Sequence, residues 1–325
     1  MSLGKKVLSK LGAIGKALVW LLYFICADGA IYYSFAFFGI DRNIYKGVYT
    51  LISSIVVFVT MIVISKLLSM KKEPLIKIKR LDPGQVISLV VIALGMLGFV
   101  TLYIIIAGRI ADYLESLKDA MEEYRDSVDR FSDTPQIVVP AWDTVIYVLT
   151  LCFVIPVTEE ITFRGVIFGQ LRKAFGPWVS VFISALIFGV MHGISVHIGY
   201  AIACGIIIAA CYHLTDSILG PILLHSIFNI FGSGIATFMS FEAFGIPEQV
   251  SSDFMFGTNL LSMMMMPAAV IAFAYLVNHK RKKEKELLKL EETSEVQVEL
   301  TEEANAAPVE EAQAASEEIQ IEAKE

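Results

Sequence analysis

Apolar residues in this chain come in uninterrupted runs close to the ~20 residues a helix needs to cross the hydrocarbon of a membrane. Eight such segments follow one another, at roughly 15–38, 48–68, 85–108, 142–171, 178–194, 198–215, 219–240 and 260–278. Within lipid every backbone N–H and C=O must be satisfied internally, so segments of this kind fold as helices. The expected class is all-α: a polytopic transmembrane helical bundle of about eight spans. The 325 residues are enough for two soluble domains, but 56% are hydrophobic and only 18% charged. Soluble domains sit near 45–50% and 25%.

Charge is unevenly spread. The segment 291–325 holds twelve Glu and one Lys, which leaves the other 290 residues at +4 although the whole chain is at −7. That tail has no aromatic residue, is too polar to bury a core, and is expected to be disordered. The domain reading is therefore 1–141 (three spans and a long loop), 142–240 (a core of four spans), 241–290 (the last span and a basic segment) and 291–325 (the acidic tail). Cys26, Cys152, Cys204 and Cys211 all lie in apolar runs without a CxxC pair and read as small core hydrophobes. Lys5, Lys6, Lys10 and Lys16 precede a first run too long for a signal peptide, which reads as an uncleaved anchor.

Basic residues in short loops mark the cytoplasmic side. Lys66, Lys71, Lys72, Lys77, Lys79 and Arg80 face a single acid in one connection, Arg172 and Lys173 lie in another, and 279–285 reads HKRKKEK. With eight spans all three fall on the N-terminal side, so both termini are expected in the cytoplasm. The loop 109–141, with eight acids against four bases, falls outside, and Asp112–Arg130 has the pattern of an amphipathic helix.

Ionisable residues inside spans cost about 2.5–3.5 kcal/mol each on the insertion scale and are functional candidates by default. They cluster in three segments. The fourth contains Glu159, Glu160 and Arg164, the fifth Phe188 and His192, the seventh His225 and Asn229. Neighbouring carboxylates in a low dielectric cannot both ionise cheaply. Arg164, four residues after Glu160, shares its helix face and can pair with it. Glu159 points about 100° away and is left as a candidate base. A structural Glu–Arg pair joining helices is the competing reading. His192 lies between Gly189 and Gly193, which permit close approach of another backbone. Glu159 and His192 are nearly equidistant from the turn near Gly176, so an antiparallel hairpin brings them to one depth, where they can share a water. His225 and Asn229, four apart, can donate two hydrogen bonds to one oxyanion or simply join helices. His225 lies only about six residues into its span, shallower than Glu159. An overlong fourth helix, a kink at Pro156 or an offset of spans are the three ways to reconcile them. Asp28, His197 and His213 read as packing or interfacial groups, Ala201, Gly205 and Ala209 as a close-packing stripe, and Met263–Met266 as lipid-facing or packing residues.

The ordered set Glu159-Glu160-x3-Arg164, Phe188-x3-His192 and His225-x3-Asn229 resembles the CPBP (Abi) family of intramembrane proteases, which includes CAAX prenyl endopeptidases and bacteriocin-processing proteins. The likeness covers about 142–240. It implies that Glu159 and His192 activate a water, that His225 and Asn229 hold the oxyanion, and that Glu160, Arg164 and Phe188 support the site. Family members are described both as metalloproteases and as metal-independent glutamate proteases. No HExxH is present, yet Glu159, His192 and His225 supply three ligand types for a divalent metal such as zinc. Gly232-Ser233-Gly234 lacks the first glycine of the rhomboid GxSG, and no paired Asp motif marks an aspartyl protease. The resemblance thus implies an intramembrane endopeptidase acting on a membrane-associated peptide or protein, with membrane lipid as its other partner and no nucleic acid. A bacterial plasma membrane is the expected location. A scaffold retaining the protease fold, or a transporter using the intramembrane charges, are the rival readings.

Overall fold

The computed structural model describes residues 3–69, 74–129, 139–193, 195–241 and 244–322. Among them every regular element is helical. In chain order these are α1 (Leu3–Phe37), α2 (Lys46–Ser69), α3 (Pro83–Ala111) and α4 (Glu115–Asp129). Then come α5 (Ala141–Ala174), α6 (Pro177–Val190), α7 (Ser195–Thr215), α8 (Leu219–Met239), α9 (Glu248–Met264) and α10 (Met266–Glu322). The boundaries follow local chemistry. Asp82 caps α3 in a reciprocal capping box with Gln85, with Pro83 in the first turn. Pro177 opens α6 directly after Gly176.

Among the described residues six helices are long and apolar enough to cross a membrane, and a seventh is counted if the bent pair of α9 and the first part of α10 is taken as one span. The eighth expected segment, α6, has 14 residues. At ~1.5 Å per residue it spans about 21 Å, short of the ~30 Å hydrocarbon layer. It nevertheless carries the chain from one face to the other. Trp178 at its start meets His213 near the end of α7, while His192 beyond its end meets His197 at the start of α7.

The two faces are distinct. On one, Asp216 pairs with Lys77 (3.2 Å) and Lys79 (2.6 Å), and the Ile218 N–H donates to the Lys77 carbonyl, tying the connection before α3 to the α7–α8 turn. On the other, Met121 of α4 packs against Ala107 and Ala111 of α3 and Val196 of α7. The Lys and Arg distribution requires these same groupings. Lys71 and Lys72 lie outside the described residues, as does Arg130 at the end of the expected amphipathic helix.

At the centre is α5. Every residue from Glu160 to Phe168 is buried, in contact with α2 (Val57, Met61), α6 (Val181) and α7 (Ala209, Ala210, Tyr212). Enclosed in this way, the polar groups of this stretch must find partners within the protein. Asp143 near its start is buried and accepts from the backbone N–H groups of Gly47 (2.7 Å) and Val48 (3.0 Å), capping α2 from another element. Asp28 joins α1 to α2, accepting from Tyr49 Oη (3.0 Å) and Ser53 Oγ (2.8 Å). Ala201 and Ala209 of the small-residue stripe are buried.

Two expectations are corrected. Cys26 is exposed, unlike the other three cysteines, because the peripheral α1 turns much of its apolar surface outward. Gly189 does let α7 approach, since a side chain there would strike Ile202, but Gly193 has open space around it. Gly193 serves the turn instead, at φ 76°. The acidic segment has a helical backbone to Glu322. Its Glu, Ala and Gln favour helix. Val277–Glu325 forms a unit of its own, distinct from Met1–Leu276. Within that unit 281–294 are exposed throughout, as a segment without a core-forming face must be.

Candidate active site

Helix α5 is not a regular α-helix. Thr150–Val154 and Ile161–Ile167 are π-helical, as is Ile230–Gly234 in α8. These wider turns flank the polar residues, a frequent setting for functional sites. The first has an identifiable consequence. The Ile155 N–H donates five residues back to Thr150, and Pro156 has no N–H to give. The Leu151 carbonyl is thereby open to a side chain, and Asn229 Nδ2 donates to it at 2.9 Å. Backbone irregularity in α5 thus anchors one residue of the α8 pair.

Glu160 and Arg164 are fully buried and form the expected ion pair, Nη1 to Oε1 at 3.0 Å. Arg164 Nη2 also donates to the Gly205 carbonyl of α7 (3.2 Å), so the guanidinium links two helices. The same Glu160 oxygen lies 2.8 Å from His225 Nδ1. A carboxylate held by Arg164 accepts there, so Nδ1 of His225 carries the proton and Nε2 faces the other way. On that side Glu159 Oε2 stands 3.9 Å from Nε2, beyond direct hydrogen-bond length. Glu159 keeps 22% of its side-chain surface, whereas Glu160 has none. Two adjacent carboxylates therefore have separate tasks: one is consumed in buried structure, the other stays reachable. The depth problem posed by His225 disappears because α5 is one continuous 34-residue helix, about 51 Å long, which passes alongside α8 rather than ending level with it.

Phe188 connects the remaining parts. Its ring lies 4.3 Å below the Arg164 guanidinium carbon and contacts the rings of His192 (4.6 Å) and His225 (6.1 Å). His192 lies just past the end of α6. Its own backbone N–H donates to Gly189, which leaves the Phe188 carbonyl available to its ring Nδ1 at 2.8 Å. A carbonyl only accepts, so Nδ1 of His192 is protonated and the neutral ring presents a lone pair at Nε2.

Glu159, Glu160, Arg164 and His225 thus form one contact cluster, Phe188 joins it to His192, and Asn229 lies one turn beyond His225 on α8. The Asn229–Leu151 and Arg164–Gly205 bonds escape sequence reasoning, since backbone carbonyls at those places carry no residue signature. Among the described residues no three His, Cys, Asp or Glu side chains are grouped as metal ligands would be.

Comparison with known proteins falls on the same segment. Residues 141–231, less than half of the chain, match the family model described as "Type II CAAX prenyl endopeptidase Rce1-like". A protein of Bacillus subtilis (strain 168) named "Putative membrane peptidase YdiL" is 29% identical over 136 residues, 42% of this chain and 56% of that protein. The chain therefore matches just over half of that relative's length. No solved structure matches.

Proposed function

Because residues 141–231 belong to the CPBP family of CAAX-endopeptidase-like proteins, we propose that this chain is an intramembrane endopeptidase. It hydrolyses a peptide bond of a membrane-associated protein or peptide. Glu159, the accessible carboxylate, takes a proton from a water that the His192 Nε2 lone pair helps to hold. The water oxygen attacks the scissile carbonyl carbon, and the proton passes on to the leaving nitrogen. Asn229 has one amide N–H engaged by Leu151 and a second left for the oxyanion. His225 donates to the same oxyanion only as the imidazolium, because the neutral ring has its proton on the Glu160 side. Glu160 and Arg164 hold that ring in place and take no part in proton transfer.

The observation that carries this reading is the division of labour between Glu159 and Glu160: one accessible beside Nε2 of His225, the other sealed against Nδ1 and Arg164. A purely structural ion pair accounts for Glu160 and leaves Glu159 unexplained. The protein is a multi-pass integral membrane protein. We place its Lys77, Lys79 and Asp216 face, and with it both termini, in the cytoplasm of a bacterium, on the strength of the basic connections.

The test uses purified protein in lipid nanodiscs with an internally quenched library of membrane-embedded peptides. Wild type should cleave members of the library and Glu159→Gln should not. Equal cleavage by both would leave the fold without the chemistry proposed for it.

A further inference from the structure

His192 stands beyond the last turn of α6, its backbone closed in a turn by its N–H on the Gly189 carbonyl, and its ring is constrained on more than one side. Its Nδ1 is bound to the Phe188 carbonyl (2.8 Å). Its ring also meets that of His197, with centroids 4.6 Å apart and planes at 67°. His197 is itself braced, stacked on Tyr200 of the same helix at 4.7 Å and 27°. Tyr200 in turn is met edge-on by Tyr103 of α3 (6.0 Å) and Tyr124 of α4 (6.4 Å). A column of rings drawn from three helices therefore ends against His192. Edge and stacked contacts of this kind hold ring orientation as well as burying area.

We propose that His197 is a positioning residue for His192. The column fixes the torsion of the His192 ring, so that its free Nε2 keeps a single direction while Nδ1 stays on the Phe188 carbonyl. This rests on the role proposed above for His192 in holding water. The work is done by the face and edge of the His197 ring, not by its nitrogens, so an aromatic ring of another kind should serve.

The chain has five histidines, few enough to assign by single substitutions in nitrogen-15 spectra of imidazole-labelled full-length protein in nanodiscs. In wild type His192 should show one tautomer, protonated at Nδ1. His197→Phe should keep that signal. His197→Ala should split or broaden it and lower kcat about tenfold, with KM within about twofold, on a peptide that wild type cleaves. An unchanged His192 signal in His197→Ala, or a His197→Phe protein that behaves like His197→Ala, would overturn the proposal. Glu159→Gln separates the two ideas. Full activity in that variant removes the proposed reaction, while a shifted His192 signal in His197→Ala still establishes the positioning contact.

Discussion

His225 Nδ1 lies 2.8 Å from Glu160 Oε1, the oxygen that also receives Arg164 Nη1 at 3.0 Å. Glu160 therefore sets which nitrogen of His225 bears the proton, and Arg164 sets where Glu160 can be. The imidazole of α8 is oriented by two residues of α5 that never meet solvent.

Removing the cation from this arrangement should be costly. Arg164→Gln leaves the buried Glu160 carboxylate without its main counter-charge, a class of change that typically costs about 3–5 kcal/mol. Thermal unfolding in detergent should begin at a clearly lower temperature than in wild type. An unchanged midpoint would mean that the pair contributes little.

Pro156→Ala should separate stability from activity. Alanine restores a backbone N–H near the Leu151 carbonyl, where Asn229 now donates. The first π-helical turn is then free to relax and Asn229 to swing. Thermal stability should hold or rise, while cleavage falls by about tenfold or more, as for other small misplacements of positioning groups. Parallel unfolding and rate measurements decide it, and full activity would show that the anchor is dispensable.

Asp143→Ala tests a purely structural acid. Two backbone N–H groups at the start of α2 lose their acceptor, at an expected cost of about 1–3 kcal/mol. The unfolding midpoint should drop while the protein that remains folded cleaves at the wild-type rate. A selective loss of activity would assign Asp143 to the site instead.

Gly189→Val addresses the α6–α7 contact. A side chain there would strike Ile202, whose backbone nitrogen is only 3.0 Å from the Cβ position. Overpacking of this kind costs typically about 1–3 kcal/mol and would push Phe188 off Arg164. Both the unfolding midpoint and the cleavage rate should fall, and wild-type values for either would show that α7 can give way.

Much of this was legible in the sequence because the signals are local. The apolar runs marked the helices, and the four-residue spacing of Glu160 and Arg164 announced their ion pair. The clustering of six polar residues in three spans marked the candidate site. What was not legible depends on backbone geometry. The π-helical turns follow from which N–H groups find which carbonyls, and the Asn229–Leu151 bond follows from them. Asp143 caps a helix 95 residues away in sequence, so no local capping motif betrays it. The role of Gly193 shows the same limit, since a turn glycine and a packing glycine look alike until φ is known. Which nitrogen of His225 faces Glu160 is likewise set only by the packing of α8 on α5.

The most direct measurement compares peptides released in membranes of cells carrying wild-type protein or Glu159→Gln at equal abundance. The account predicts that a defined set of cleavage products is present with wild type and missing with Glu159→Gln, their uncut precursors accumulating. Identical peptide sets in the two membranes would contradict it.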